Sequence, residues 1–137
     1  MKQGDVTTQD EARILPGAVI AVITRDTTLA SGPQGVVIGF TPSSIHFLCT
    51  MDGVFQEAGS WGFACREGSG DKSIRSNHLE VANQFQKNGT IAINMAQSAA
   101  NFYFGDISSY NDDGFTINWV KVGSPTGILG VQFMAVK

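Results

Sequence analysis

Charge is what this sequence lacks most clearly. Asp, Glu, Lys and Arg make up only 15% of its 137 residues, against about 25% in an average soluble protein. The nine basic residues are scattered and the net charge is −3, whereas phosphate binding requires clustered Lys and Arg. We therefore expect no nucleic-acid partner. Few charged residues are available to keep the surface soluble, so we also expect a partner protein to cover part of that surface.

Long apolar runs are missing as well. The longest run, residues 18–23, is far shorter than the roughly 20 residues of a membrane-spanning helix. The first thirteen residues are polar and mixed in charge, without the apolar region of a secretory signal. We expect a single domain that folds in a cytosol and does not enter a membrane.

Cysteine is scarce, with only Cys49 and Cys65. In a reducing cytosol both are expected to be free thiols that pack as small hydrophobic side chains. A disulfide is the alternative, since both cysteines lie in predicted strands that are candidates for neighbours. Two cysteines with two distant histidines, His46 and His78, do not supply a metal site.

Glycine, by contrast, is abundant. Sixteen glycines with many Ser, Thr and Asn residues indicate short strands and tight turns. The clearest pattern is in residues 108–119, where an Asn-Asp-Asp-Gly turn precedes alternating apolar residues. Phe115, Ile117 and Trp119 fall on one face of that strand. This pattern predicts a hairpin that continues into a half-buried antiparallel sheet.

Short strands at near-regular spacing, without long helices, predict an all-β fold. We expect an antiparallel β-sandwich or jelly-roll-like barrel of eight or nine strands in residues 16–137. The predicted strands are residues 18–24, 36–40, 45–50, 60–66, 73–85, 91–95, 101–107, 115–121 and 128–136. In 73–85 a short helix over residues 77–84 is the alternative, but the neighbouring segments favour a strand. Residues 1–15 lack periodicity and predict an extended N-terminal arm.

The third of these strands carries apolar residues on both faces. We therefore expect residues 45–50 to form a central strand covered on both sides. His46, which alternates with core residues, is expected to be a hydrogen-bonded structural histidine rather than a catalytic one.

The aromatic residues differ in their position within the alternation of apolar and polar residues along each predicted strand. Trp61 and Trp119 fall on the apolar phase of their strands and are expected in the core. Small residues alternate with the aromatic ones in residues 60–66, which predicts close approach of another layer or subunit. Tyr103 and Tyr110 are off-phase or in turns, so we expect them on an outer surface.

Catalytic and metal-binding patterns are weak. Ser69 lies between glycines but lacks the following helix of a nucleophile elbow, so a plain loop is expected. Asp106, Asp112 and Asp113 lack the ligand spacing of a calcium loop. They are better explained as turn residues, with Gly114 at a positive φ. No carboxylate pair suited to glycoside hydrolysis is identifiable. We expect a non-enzymatic protein without a metal or cofactor.

Three segments, in order, resemble a family of short β-rich domains from tailed-bacteriophage structural proteins. Residues 39–47 (GFTPSSIHF) look like its Gly-Phe-x-Pro signature, and residues 60–65 (SWGFAC) are similar to its second motif. Residues 110–119 (YNDDGFTINW) are the most similar, and a final hydrophobic strand follows at 128–136. The resemblance covers residues 34–137.

The resemblance implies a role on the virion surface, with no catalytic residues to carry over. Its relatives are head-decoration proteins, head fibres and tail-fibre tips. Because the sequence has no heptads or repeats that would join it to a fibre shaft, we expect a capsid decoration (cement) protein bound to the major capsid protein. Its arm and apolar strand faces favour a homotrimer. The alternative is the receptor-binding head of a phage fibre, recognising a host surface glycan.

Overall fold

Two antiparallel β-sheets pack face to face in this chain. A computed structural model describes residues 12–52, 58–66, 72–79, 82–88, 91–98 and 100–137. These residues form strands and turns without a helix, which confirms the predicted all-β sandwich. Consequently, the described part of the chain contains no helix able to cross a membrane.

Eleven strands are present in these residues. They are β1 (Ala12–Leu15), β2 (Ala18–Asp26), β3 (Gly32–Val37), β4 (Ser44–Asp52), β5 (Ala58–Cys65), β6 (Lys72–Leu79), β7 (Ala82–Asn88), β8 (Ile93–Ala96), β9 (Phe102–Asn111), β10 (Gly114–Val122) and β11 (Ile128–Val136). The larger sheet has the order β1-β2-β11-β4-β5-β6-β7, and the smaller has the order β3-β10-β9-β8. The last strand of the chain therefore lies between β2 and β4.

The start of the chain adds a strand to the larger sheet. Residues 1–11 of the predicted arm lie outside the described residues. Residues 12–15 are extended, as predicted, but they pair with β2 as strand β1. The turn between the two strands contains Gly17 at a φ of 72°, a left-handed conformation that glycine adopts without steric cost.

Two other segments differ from the predicted strands. β3 begins at Gly32, four residues before the predicted strand 36–40, and includes Pro33. The proline is tolerated because β3 is an edge strand, where a missing N–H leaves no central ladder position unpaired. Residues 73–85 form parts of two strands, β6 and β7, which pair as a hairpin. The strand interpretation of this segment is thus confirmed and the helix alternative is wrong.

The core lies between the two sheets and is built from alternate residues of their central strands. Phe115, Ile117 and Trp119 of β10 are fully buried, which confirms the predicted direction of this strand. Phe115 makes edge-on contacts with Phe47 of β4 and Phe133 of β11, at ring-centroid distances of 6.2 and 5.3 Å. Such T-shaped pairs are a favourable aromatic geometry, and they join the two sheets.

The hairpin between β9 and β10 has the predicted two-residue turn, because Asn111 pairs with Gly114. Gly114 does not have the positive φ that was expected. Instead, a Cβ at this position would collide with the carbonyl oxygen of Val36. The amide of Gly39 also donates to the carbonyl of Asp113, at 2.9 Å. Glycine is therefore required by the close approach of the β3 end to this turn.

Both cysteines are free, which confirms the predicted thiols. Cys49 pairs in register with Ser60, whereas Cys65 pairs with Ser44 at the other end of the β4–β5 ladder. The neighbouring strands thus hold the two sulfur atoms far apart. Cys49 is buried, and burial raises the pKa of its thiol by disfavouring the thiolate.

Candidate interaction surface

The outer face of the larger sheet is mostly apolar across four adjoining strands, with formal charges only in the row at one end. We use the name outer face for the outward positions of β2, β11, β4 and β5. These residues are Ala18, Ile20, Val22, Thr24, Asp26, Ile128, Gly130, Gln132, Met134, Val136, Ser44, His46, Leu48, Thr50, Asp52, Gly59, Trp61, Phe63 and Cys65. The only Asp, Glu, Lys or Arg residues among these positions are Asp26 and Asp52, which pair with Ile128 at one end. An antiparallel sheet normally presents polar residues on the side away from the core, so this face is unusual.

Five large apolar side chains on the outer face are substantially exposed. They are Trp61 (51%), Ile128 (42%), Leu48 (41%), Met134 (39%) and Phe63 (37%). Ile128 lies in the end row with Asp26 and Asp52. The strand register places the other four in two adjacent rows, Ile20–Met134–His46–Phe63 and Val22–Gln132–Leu48–Trp61. Since neighbouring strands are about 4.8 Å apart, the four side chains belong to one continuous patch.

The exposure of Trp61 contradicts the prediction that it lies in the core. On the inward side of β5, Ser60 and Ala64 are fully buried. The Ser60 hydroxyl accepts a hydrogen bond from the backbone N–H of Asn94 in β8, at 3.1 Å. β8 therefore comes so close to β5 that only small side chains fit between them, and Trp61 and Phe63 point outwards.

This arrangement confirms one prediction for the same strand. The small residues of 60–66 were expected to permit close approach of another layer, and β8 is that layer. All four residues of β8 are buried, which is consistent with its position against the larger sheet.

β4 is a central strand, as predicted, because β11 and β5 flank it. Among the described residues, however, none covers its second face, where Leu48 is 41% exposed. His46 is exposed rather than buried, and its ring lies 6.3 Å from that of Phe63, measured between centroids. His46 thus alternates with core residues but lies on the exposed face, and its interpretation as a hydrogen-bonded structural histidine stays a prediction. Apolar residues on both faces of β4 reflect one face in the core and one in the exposed patch.

Tyr103 lies in the core, contrary to the prediction of an outer position. Its hydroxyl accepts a hydrogen bond from Arg25 Nε at 2.9 Å and donates to the carbonyl of Leu29 at 3.4 Å. A buried tyrosine is stable when its hydroxyl is paired in this way. Tyr110 is half-buried and packs against the core. Neither tyrosine contributes to the exposed aromatic patch.

The smaller sheet has an outward apolar patch of its own. Phe102 and Phe104 stack with their ring centroids 5.9 Å apart, and they pair with the exposed Val122 and Val120. The next row of this face contains Asn118 and Asp106, so a carboxylate borders the patch. The outer face of the larger sheet is broader, and its carboxylates, Asp26 and Asp52, lie in the row of Ile128 at one end.

The acidic residues Asp112 and Asp113 form the turn of the β9–β10 hairpin. Asp112 and Asp113 are exposed, and the side-chain amide of Asn111 donates to Thr116 Oγ1 at 3.1 Å. No group of three His, Cys, Asp or Glu residues converges in the part of the chain that the structure describes. Ser69 and the side chain of His78 lie outside the described residues.

Comparisons with protein-family models, with curated proteins and with solved structures each found no match. The resemblance of the three segments to a phage family therefore stays a prediction. Two of these segments meet in space, since the hydrogen bond from Gly39 to Asp113 joins the first to the third. At this point the two segments contribute a backbone contact that supports the fold.

Proposed function

We propose that this protein is a non-enzymatic structural protein of a tailed-bacteriophage virion. More specifically, we propose a capsid decoration (cement) protein that bridges subunits of the major capsid protein. The observation that carries the proposal is the exposed apolar patch of the outer face. A sheet surface with four exposed large apolar side chains is unfavourable in water and favourable under a protein cover. The virion is inferred from the resemblance of the three segments.

The energetics of the outer face suit an assembly with many copies. Fully burying a large apolar side chain contributes about 1.5–3 kcal/mol. Trp61, Leu48, Met134 and Phe63 are already partly covered, so a partner would gain roughly 1 kcal/mol from each. Such a gain is modest for one copy. It becomes large when many linked copies bind one shell, because the later contacts are effectively intramolecular.

The test is to locate the protein in virions whose genome encodes it. We expect cryo-electron microscopy to place a sandwich-sized density on the capsid surface, and added protein to increase the heat resistance of capsids that lack it. If the purified protein neither binds capsids nor raises their resistance to heat or chelators, the proposal is wrong.

The N-terminal residues offer a sharper version of this test. Because β1 pairs with β2, a deletion should stop at residue 11 and leave the sheet intact. We expect this deletion to abolish decoration without lowering the melting temperature. A deleted protein that decorates capsids normally would contradict the role of the arm.

A second candidate is the glycan-binding head of a phage fibre. It is favoured by Trp61, which is half-exposed beside Phe63 and offers a flat aromatic surface for stacking on a sugar ring. This candidate predicts that the protein binds host cells in the absence of capsids. It also predicts that Trp61→Ala abolishes cell binding whereas Val120→Ala, on the opposite side of the sandwich, does not.

A further inference from the structure

We propose that the charges around the outer face fix the direction in which its partner binds. The inference rests on the proposed function, since the occupant of the face is a subunit of the major capsid protein. The capsid surface that fits this face is apolar at its centre, basic opposite the row of Ile128 and acidic beside the row of His46. The partner is therefore accepted in only one of the two directions along the strands.

Two acidic residues define one end of the outer face. Asp26 and Asp52 pair in register with Ile128 from its two sides, and residues paired in this way share a face of the sheet. Because neighbouring strands are about 4.8 Å apart, the two acidic positions are roughly 10 Å from each other. A single cation of the partner, placed over Ile128, would lie between them.

The carboxylate of Asp26 is held in place by the loop that follows it. Its Oδ1 accepts hydrogen bonds from the Thr28 hydroxyl at 2.7 Å and from the Thr28 backbone N–H at 2.8 Å. These two bonds lower the pKa of Asp26, and the charges of Lys121 and Arg25 lower it further. Asp26 therefore stays ionised at neutral pH, and its negative charge has a fixed position at the end of the face.

Basic residues flank the row of His46 instead. Arg13 of β1 pairs with Ile20, and Lys72 of β6 pairs with Phe63. Since Ile20 and Phe63 are the two ends of this row on the outer face, a cation follows at each end. No acidic residue occupies a position of the row within the described strands.

The next row has a basic residue at one end as well. Trp61 pairs with Ile74 of β6, and Ile74 pairs with Lys87 of β7. The basic residues thus lie beside the apolar patch, whereas the acidic residues lie at the Ile128 end. Ile128 and Met134, which belongs to the row of His46, are six residues apart on β11, or about 20 Å. This separation exceeds the roughly 8 Å over which charges act at physiological salt, so each end interacts with its own part of the partner.

Apolar contact alone does not select a direction. The exposed side chains of the patch attract any apolar surface, whichever way it lies along the strands. A partner turned end for end would set its basic residue beside Lys72 and its acidic residues beside Asp52. Like charges brought together in this way oppose binding. The patch therefore supplies the attraction, and the charges select the orientation.

Two charge reversals with the same change in net charge test the proposal. Asp52→Lys alters the acidic end of the outer face, and Asp112→Lys alters the exposed turn of the β9–β10 hairpin. Each changes the net charge from −3 to −1. Asp52→Lys combined with Lys72→Glu restores −3 but reverses the charge at both positions. Asp26→Asn is a further variant if Asp52→Lys folds poorly, since its amide oxygen can still accept from Thr28.

The measurement is the binding of each purified variant to capsids that lack the protein, at low and at physiological salt. Near-ultraviolet circular dichroism verifies the fold of each variant. We expect the wild-type protein and Asp112→Lys to bind equally, and Asp52→Lys and the double variant to bind about tenfold more weakly at low salt. This difference should shrink as the salt concentration rises, because exposed charges are screened.

Leu48→Lys separates this proposal from the proposed function, because it places a charge at the centre of the patch. If Leu48→Lys abolishes capsid binding while Asp52→Lys binds like the wild-type protein, the face is the contact but charge does not orient it, and the proposal is wrong. Equal losses for Asp52→Lys and Asp112→Lys would also overturn it, since net charge alone would then explain the effect. A wild-type protein that binds no capsid would contradict the proposed function and this proposal together. A wild-type mass of twice the 14.6 kDa of one chain, lost in Leu48→Lys, would assign the face to a second copy instead.

Discussion

Strands β5 and β10 have the same alternation of aromatic and small or polar residues, yet they direct their tryptophans to opposite sides of the molecule. Trp119 of β10 is fully buried and donates its Nε1–H to Gln34 Oε1 at 2.8 Å. Trp61 of β5 is half-exposed. Alternation determines which residues share a face. The space between the sheets determines which of the two faces becomes the core.

That space differs along the sandwich. Opposite β10, the space between the sheets admits large rings, and Phe115 packs edge-on against Phe133 of β11 with a centroid distance of 5.3 Å. Opposite β5, the short strand β8 approaches closely enough for a hydrogen bond from Asn94 to Ser60. The aromatic side of β5 is therefore excluded from the interior and becomes available to a partner.

The largest difference should come from truncating the buried tryptophan. Trp119→Ala removes a fully buried ring, and we expect it to lower the free energy of unfolding by about 3–5 kcal/mol. Urea denaturation followed by far-ultraviolet circular dichroism measures the change. A loss below about 1 kcal/mol, the scale of an ordinary surface substitution, would contradict the assignment of β10 to the core.

The close contact at the start of β10 is tested by Gly114→Ala. Its Cβ would collide with the backbone of Val36, and overpacking of this kind costs about 1–3 kcal/mol. Gly35→Ala is the matched control, because its Cβ would have no atom within 4 Å. We expect a lower melting temperature for the first variant only. Equal melting temperatures would mean that β3 and the turn are not so tightly apposed.

The close approach of β8 to β5 is tested at Ser60. Ser60→Ala removes the hydroxyl that accepts from the Asn94 N–H, and we expect a loss of about 1 kcal/mol. Ser60→Leu should cost more than this, because a larger side chain would force the two strands apart. If Ser60→Leu is as stable as the wild-type protein, the interior at β5 has room for large residues and our explanation for the exposed Trp61 fails.

The smallest effect is expected for Trp61→Ala. Because this ring is half-exposed, the substitution should change the free energy of unfolding by no more than about 0.5 kcal/mol. Urea denaturation, as for Trp119→Ala, measures the change. A large loss of stability would show that Trp61 supports the fold of the sandwich.

Sequence patterns predicted the parts of this fold that depend on near neighbours. The bounds of β11, residues 128–136, are those predicted, and the turn before β10 is a local Asn-Asp-Asp-Gly signal. In both cases period-two alternation and turn residues lie within about ten positions of each other. Such signals need no knowledge of what packs opposite.

The features that prediction missed depend on distant contacts. The direction of β5 follows from a contact between Ser60 and Asn94, and the burial of Tyr103 depends on a hydrogen bond from Arg25, 78 residues away. The role of Gly114 depends on Val36 in another strand. The exposed patch was missed for the same reason, because a strand with two apolar faces has the same sequence whether a second layer or a partner covers it.

The position of β11 between β2 and β4 has a consequence for synthesis. Residues 18–26 and 44–52 leave the ribosome long before residues 128–136, which join them in the finished sheet. The nascent chain must therefore hold apolar strands apart while more than seventy further residues are translated, and non-local pairing of this kind is slow and prone to aggregation. The low charge of the sequence gives little electrostatic protection against association during that interval.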